Sequence, residues 1–152
     1  MDEERVKKLV RELIIEVGED PTREGLKETP KRIASMYKEI FGGYDSDSEL
    51  SVQFSEDSET VVAKNIQFYS MCEHHMLPFH GLVNIAVFPK KNILGISKFS
   101  DLVSHLSNNL TLQEKLTEKI ATFIYEILDA DGVFVKMSGK HLCSDLLNSK
   151  NL

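Results

Sequence analysis

Val61-Val62-Ala63-Lys64-Asn65-Ile66-Gln67-Phe68 and, after Tyr69 to Pro78, Phe79-His80-Gly81-Leu82-Val83-Asn84-Ile85-Ala86-Val87-Phe88 decide the fold. Both stretches are rich in β-branched and aromatic residues, and their apolar side chains alternate with polar or small ones, the pattern of strands with one buried face. The sequence therefore predicts two strands joined by the segment 69–78.

Upstream, Val6, Leu9, Val10, Leu13, Ile14 and Val17 recur at the spacing of an amphipathic helix, with Asp2 as N-cap and Gly18 as stop. Thr22, after Asp20-Pro21, is placed to cap a short helix. Thr29-Pro30 starts a further helix carrying Ile33, Met36, Tyr37 and Ile40, which Gly42-Gly43 ends. Downstream, Pro89 to Asn92 reads as a turn and Ile93 to Ile96 as a short strand. Helical spacing returns in Phe99 to Leu106 and in Leu112 to Ile127, and Val133 to Met137 alternates as a last strand. The order predicts an α+β domain with an antiparallel sheet and two helices, preceded by N-terminal helices. Residues 1–43 form the helical segment, 44–59 a flexible acidic, Ser-rich loop, and 60–152 the main domain.

The 152 residues, 41% of them hydrophobic, suit one domain with a real core. A formal net charge of −6 argues against a broad basic face for nucleic acid. Residues 1–8 are charged and mixed in sign, unlike a secretory signal, and no apolar run is long enough to span a bilayer. A soluble, cytoplasmic protein without a membrane partner is the expectation. Reduced thiols then turn attention to the two Cys and five His.

Cys72-Glu73-His74-His75 lies between the first two strands, and His141-Leu142-Cys143 follows the last. A Cys and a His three positions apart can face one ion, and a distant Cys can supply a third ligand with a fourth position open, the arrangement of a catalytic zinc. On spacing alone the same residues also suit buried thiols beside ordinary polar histidines. His80 and His105 read as surface or partly buried positions. Asn109-Leu110-Thr111 fits a glycosylation sequon that a protein kept inside the cell does not use, and Asp129 to Gly132 reads as a plain turn. Gln113-Glu114 places acidic charge at the positive end of a helix dipole.

Taken together, Cys72 to Gly81, Leu94-Gly95-Ile96-Ser97-Lys98, Leu112-Gln113-Glu114-Lys115-Leu116-Thr117 and His141-Leu142-Cys143 resemble GTP cyclohydrolase I, as do Asp20 to Leu26 and Thr29 to Ile33. The resemblance runs in order along nearly the whole chain. It implies a tunnelling fold assembled into a ring-shaped homo-oligomer, commonly a decamer, with active sites between subunits. It also implies a zinc ion held by Cys72, His75 and Cys143, and an acid/base pair in His74 and His141. Gln113 and Glu114 would recognise the guanine edge, Ser97 and Lys98 would meet the ribose and triphosphate, and Ser97 would assist the ribose rearrangement with His74. The implied reaction converts GTP and water to 7,8-dihydroneopterin triphosphate and formate.

Two departures stand out. The family pattern expects an Arg three residues after Lys98, where this chain has Asp101, and a second Arg after the H-x-C motif, where it runs Ser144 to Lys150. Lys98 remains, and Arg32 is a possible helper in phosphate binding. These departures leave room for a guanine nucleotide with fewer phosphates as substrate. A second alternative is a non-catalytic zinc- or pterin-binding subunit of a cyclohydrolase ring.

Overall fold

The computed structural model describes residues 1–44, 53–55 and 60–147. The chain divides into two compact units, Met1–Gly42 and Gly43–Leu152.

In the first unit, helix α1 (Glu3–Glu16) starts at Asp2, whose carboxylate accepts from the Arg5 backbone N–H at 3.0 Å. Glu3 and Glu4 then complement the dipole of the first turn. Only Val10 and Ile14 of the expected apolar face are buried, whereas Leu9, Leu13 and Val17 stay exposed. Helix α2 (Thr29–Ile40) begins with proline in its first turn, as expected. The short helix expected after Thr22 does not form. The Thr22 hydroxyl donates to Asp20 Oδ1 at 2.7 Å, and its backbone N–H donates to the same oxygen. Thr22 is thus a donor in a side-chain-closed turn, not a helix cap.

The second unit contains strands β1 (Gln53–Ser55), β2 (Val61–Cys72), β3 (Pro78–Phe88), β4 (Asn92–Leu94), β5 (Leu110–Thr111) and β6 (Gly132–His141). Helices α3 (Ile96–Ser107), α4 (Gln113–Leu128) and α5 (Leu142–Leu147) complete it. The main sheet runs β5-β2-β3-β6, and β1 pairs with β4 in a separate two-stranded sheet. Three elements depart from expectation. Gln53–Ser55 is a strand inside the stretch read as a loop, the rest of which, 45–52 and 56–59, lies outside the described residues. β5 and α5 were not anticipated. The sheet is mixed because β5 runs parallel to β2, with Met71 opposite Leu110 and Cys72 opposite Thr111.

One face of the sheet carries the core. Phe68, Phe79, Val83, Ile85 and Val87 meet Phe99, Leu102 and Val103 of α3 and Leu116, Ile120, Ile124 and Leu128 of α4, all almost inaccessible to water. Burying each such side chain contributes about 1.5–3 kcal/mol. The other face exposes Val62, Tyr69, Leu82, Phe88 and Phe134. The β3–β6 ladder opposes Gly81 to Gly139, and a Cβ on Gly81 would overlap the Ser138 carbonyl oxygen. That close approach carries the register without a slip to its end, where Phe79 stands opposite His141. No helix of the described residues is long and apolar enough to cross a membrane.

Candidate active site

The site lies where three chain segments meet at one end of the main sheet. The first is the turn between β2 and β3. Met76 adopts a left-handed conformation (φ 51°), its N–H donates to the Cys72 carbonyl at 2.8 Å, and the Cys72 N–H donates to the Leu77 carbonyl at 2.9 Å. This tight closure turns His75 back toward Cys72, leaving Cys72 Sγ 3.9 Å from His75 Nδ1. The second segment is β5 and the start of α4. The Glu73 N–H donates to the Thr111 carbonyl at 3.1 Å, and the Ser70 hydroxyl donates to the Asn109 carbonyl at 3.2 Å. The parallel bridge therefore sets Gln113 and Glu114 beside the Cys72–His75 turn. The third is the end of β6 and the beginning of α5, which bring in His141 and Cys143.

Together these segments line a cavity of about 230 Å³, bounded by Cys72, His74, His75, Phe79, Thr111, Leu112, Gln113, Glu114, His141 and Cys143. Cys72 and Cys143 are buried and free of disulfide bonding, while His74, His75 and Glu114 are exposed.

The donor atoms of Cys72, His75 and Cys143 all lie within 4.8 Å of one another. Tetrahedral bonds of about 2.3 Å to sulfur and 2.0–2.1 Å to nitrogen place ligand atoms about 3.6–3.8 Å apart. The 3.9 Å between Cys72 Sγ and His75 Nδ1 is within about 0.3 Å of that spacing, so a small inward shift of the donors closes the set on an ion. Two soft sulfurs and an imidazole form a donor set that would suit a borderline or soft metal. Burial, and then the neighbouring Cys72 sulfur, push the Cys143 thiol above its ordinary pKa. A cation at this point reverses that preference by binding the thiolate.

His141 is held on two sides. Its ring stacks on Phe79, with centroids 4.7 Å apart and planes 4° from parallel. Its Nε2 lies 3.1 Å from Gln113 Oε1. With the amide oxygen facing the ring, Nε2 carries the hydrogen and donates it. Phe79 is fully buried, so this wall of the cavity is rigid. His74 stands edge-on to His75 at 6.1 Å.

The sequence-derived set thus divides. Cys72, His74, His75, Gln113, Glu114, His141 and Cys143 converge on one cavity. Ser97 and Lys98 sit in the first turn of α3 and do not line it. Lys98 instead donates to Asp101 Oδ2 at 3.1 Å, one turn along the same helix. Arg32 is exposed on α2 in the first unit. Phe79, Thr111 and Leu112 are lining residues that the sequence reading passed over, although strand alternation already set Phe79 on the face opposite His80. His80 itself is exposed and stacks on Tyr69 with ring centroids 5.8 Å apart, and His105 lies in the last turn of α3.

The sequence profile of the family described as GTP cyclohydrolase I matches residues 6–151. The chain belongs to the GTP cyclohydrolase I family. Proteins named GTP cyclohydrolase 1 are similar along almost its full length. The one from Caldanaerobacter subterraneus subsp. tengcongensis is 46% identical over 99% of this chain and 82% of its own. That of Finegoldia magna is 44% identical over 99% and 83%, and that of Fusobacterium nucleatum subsp. nucleatum 47% identical over 99% and 82%. The chain is accordingly a GTP cyclohydrolase I-type enzyme, with a Cys-His-Cys group able to hold a metal ion.

Proposed function

We propose that this enzyme converts GTP and water to 7,8-dihydroneopterin triphosphate and formate at the Cys72-His75-Cys143 cavity, with zinc as its metal. The observation that carries the reading is the convergence of that donor set with His74, His141, Gln113 and Glu114 in one cavity of a chain from this family. When bound, zinc supplies Lewis-acid chemistry and activates water for hydrolysis.

The remaining work falls to side chains. Glu114 accepts two N–H bonds from the guanine N1 and N2 edge, which adenine does not offer, and base selection follows. Gln113 stands beside it as the second contact to the base. His141, oriented by the Phe79 ring, passes a proton to the purine N7 as the imidazole ring opens. His74, exposed at the cavity mouth, acts with Ser97 in the ribose rearrangement. Lys98 and Arg32 meet the triphosphate. Because Ser97 and Lys98 do not line the cavity of their own chain, the reading includes a tunnelling-fold ring homo-oligomer, with a decamer as the expected form, in which neighbouring chains complete each site. A cytoplasmic location suits the nucleotide substrate.

Incubating zinc-loaded protein with GTP, and measuring formate together with the fluorescence of the oxidised pterin, tests the proposal. Absence of product from every guanine nucleotide overturns it. The Lys98–Asp101 ion pair favours a second reading, in which a guanine nucleotide with fewer phosphates is preferred. Turnover of GTP, GDP, GMP and guanosine under one set of conditions separates the two.

A further inference from the structure

The turn that carries Cys72, His74 and His75 is fastened through one residue both to β5 and to the first turn of α4. The Glu73 backbone N–H donates to the Thr111 carbonyl, and its carboxylate receives Lys115 Nζ at 2.7 Å. Glu73 sits between a metal-ligand candidate and His74, while Lys115 directly follows Gln113 and Glu114. Neither residue lines the cavity. The pair spans 42 positions of sequence and joins the two segments whose separation fixes the distance from the metal position to the guanine-reading edge.

Two further features mark the pair as more than surface decoration. A cation in the first turn of a helix opposes the helix dipole, and in α4, which has no side-chain N-cap hydrogen bond, Glu114 is the acid of that turn. The Glu73 carboxylate brings negative charge to that end of α4. The Lys115 side chain is 63% exposed, so the ion pair adds little to global stability. A small error in spacing between two subsites that grip one rigid purine, in contrast, is costly.

We infer that Glu73 and Lys115 are positioning residues that hold the metal-ligand turn in register with Gln113 and Glu114, so that one purine reaches both at once. The inference rests on the cyclohydrolase reading for its substrate. The test uses the zinc-loaded full chain in five forms: wild type, Glu73→Gln, Lys115→Met, Lys115→Arg, and the exchanged pair Glu73→Lys/Lys115→Glu. Zinc content, melting temperature, kcat and KM for GTP are measured on each. The expected result is a KM raised about three- to tenfold in Glu73→Gln and Lys115→Met, with zinc content and melting temperature at wild-type levels. Lys115→Arg, and the exchanged pair where it folds, return KM to within about twofold of wild type. Unchanged KM in both neutralised variants overturns the inference, as does a loss of activity that only follows a fall in melting temperature. Wild-type protein that releases no formate from GTP overturns the cyclohydrolase reading instead. The same variants are then compared by calorimetric binding of GTP, where a Kd unmoved by neutralising the pair refutes the positioning role.

Discussion

Replacing Gln113 by Met keeps the length of the side chain and removes the oxygen that faces His141. The lost contact is a 3.1 Å hydrogen bond between two half-buried side chains. Such a bond contributes about 1 kcal/mol to a neutral imidazole and about 2 kcal/mol to a charged one. If that energy serves to aim the ring, kcat falls about 5- to 30-fold, since each 1.36 kcal/mol is tenfold in rate. The Phe79 stack remains and limits the loss, because a parallel ring at 4.7 Å still restricts tilting of the imidazole. The assay is pterin fluorescence at saturating GTP, with zinc content measured on the same sample, since His141 lies two residues from Cys143. A kcat within twofold of wild type, accompanied by a raised KM, refutes the reasoning and leaves Gln113 as a guanine contact alone.

Cys143→Ser removes a soft, buried ligand; bound zinc and turnover are expected to fall by more than the roughly 10- to 100-fold that losing a supporting hydrogen bond costs, as read by atomic absorption and formate release. The raised Cys143 pKa means that the folded, metal-free protein holds this proton more tightly than the unfolded chain does. That stabilisation is present below the ordinary thiol pKa of about 8.5 and is lost as pH rises through the higher folded value, so the metal-free melting temperature declines above about pH 8.5. Because a metal binds the thiolate and displaces its proton, chelator competition is expected to show zinc affinity rising with pH as long as Cys143 is protonated in the metal-free protein. Asp101→Asn frees Lys98 and is expected to lower KM for GTP about two- to fivefold while leaving guanosine unaffected; equal shifts for both ligands would count against a phosphate role for Lys98. Ile120→Ala empties a fully buried position between α4 and the sheet and is expected to cost about 2–5 kcal/mol in denaturant unfolding.

Long periodic segments were legible in the sequence. α1, α2, α3 and α4 follow from apolar spacing, and β2, β3 and β6 from alternation, because each is long enough to show its period. β5 has two residues and α5 six, too few to display one, and both exist through what they pack against. The parallel β5 bridge in particular is set by the path of the chain after α3, which composition does not encode. The polar strand Gln53–Ser55 is supported by pairing with β4, a tertiary partner hidden in a Ser- and Asp-rich stretch.

At the site the pattern was similar. The C-x-x-H spacing singled out Cys72 and His75, whose Sγ and Nδ1 the turn leaves 3.9 Å apart. The link from Gln113 to His141, the stacking of Phe79 and the Glu73–Lys115 tether arise from strand register and the β5 bridge, so they appear only when separate segments are assembled. Ser97 and Lys98 illustrate the converse, since a motif named them while the fold sets them outside the cavity lined by the others.

The separation of Cys72 and Cys143 by 71 positions has a consequence for how the protein matures. On a ribosome adding about 5–20 residues per second, the first sulfur is made about 4–14 s before the second. The full donor set exists only after β6 has paired along β3 and turned into α5. The three donors therefore come together only in the finished sheet, and the nascent chain spends those seconds with Cys72 and His75 without their third partner.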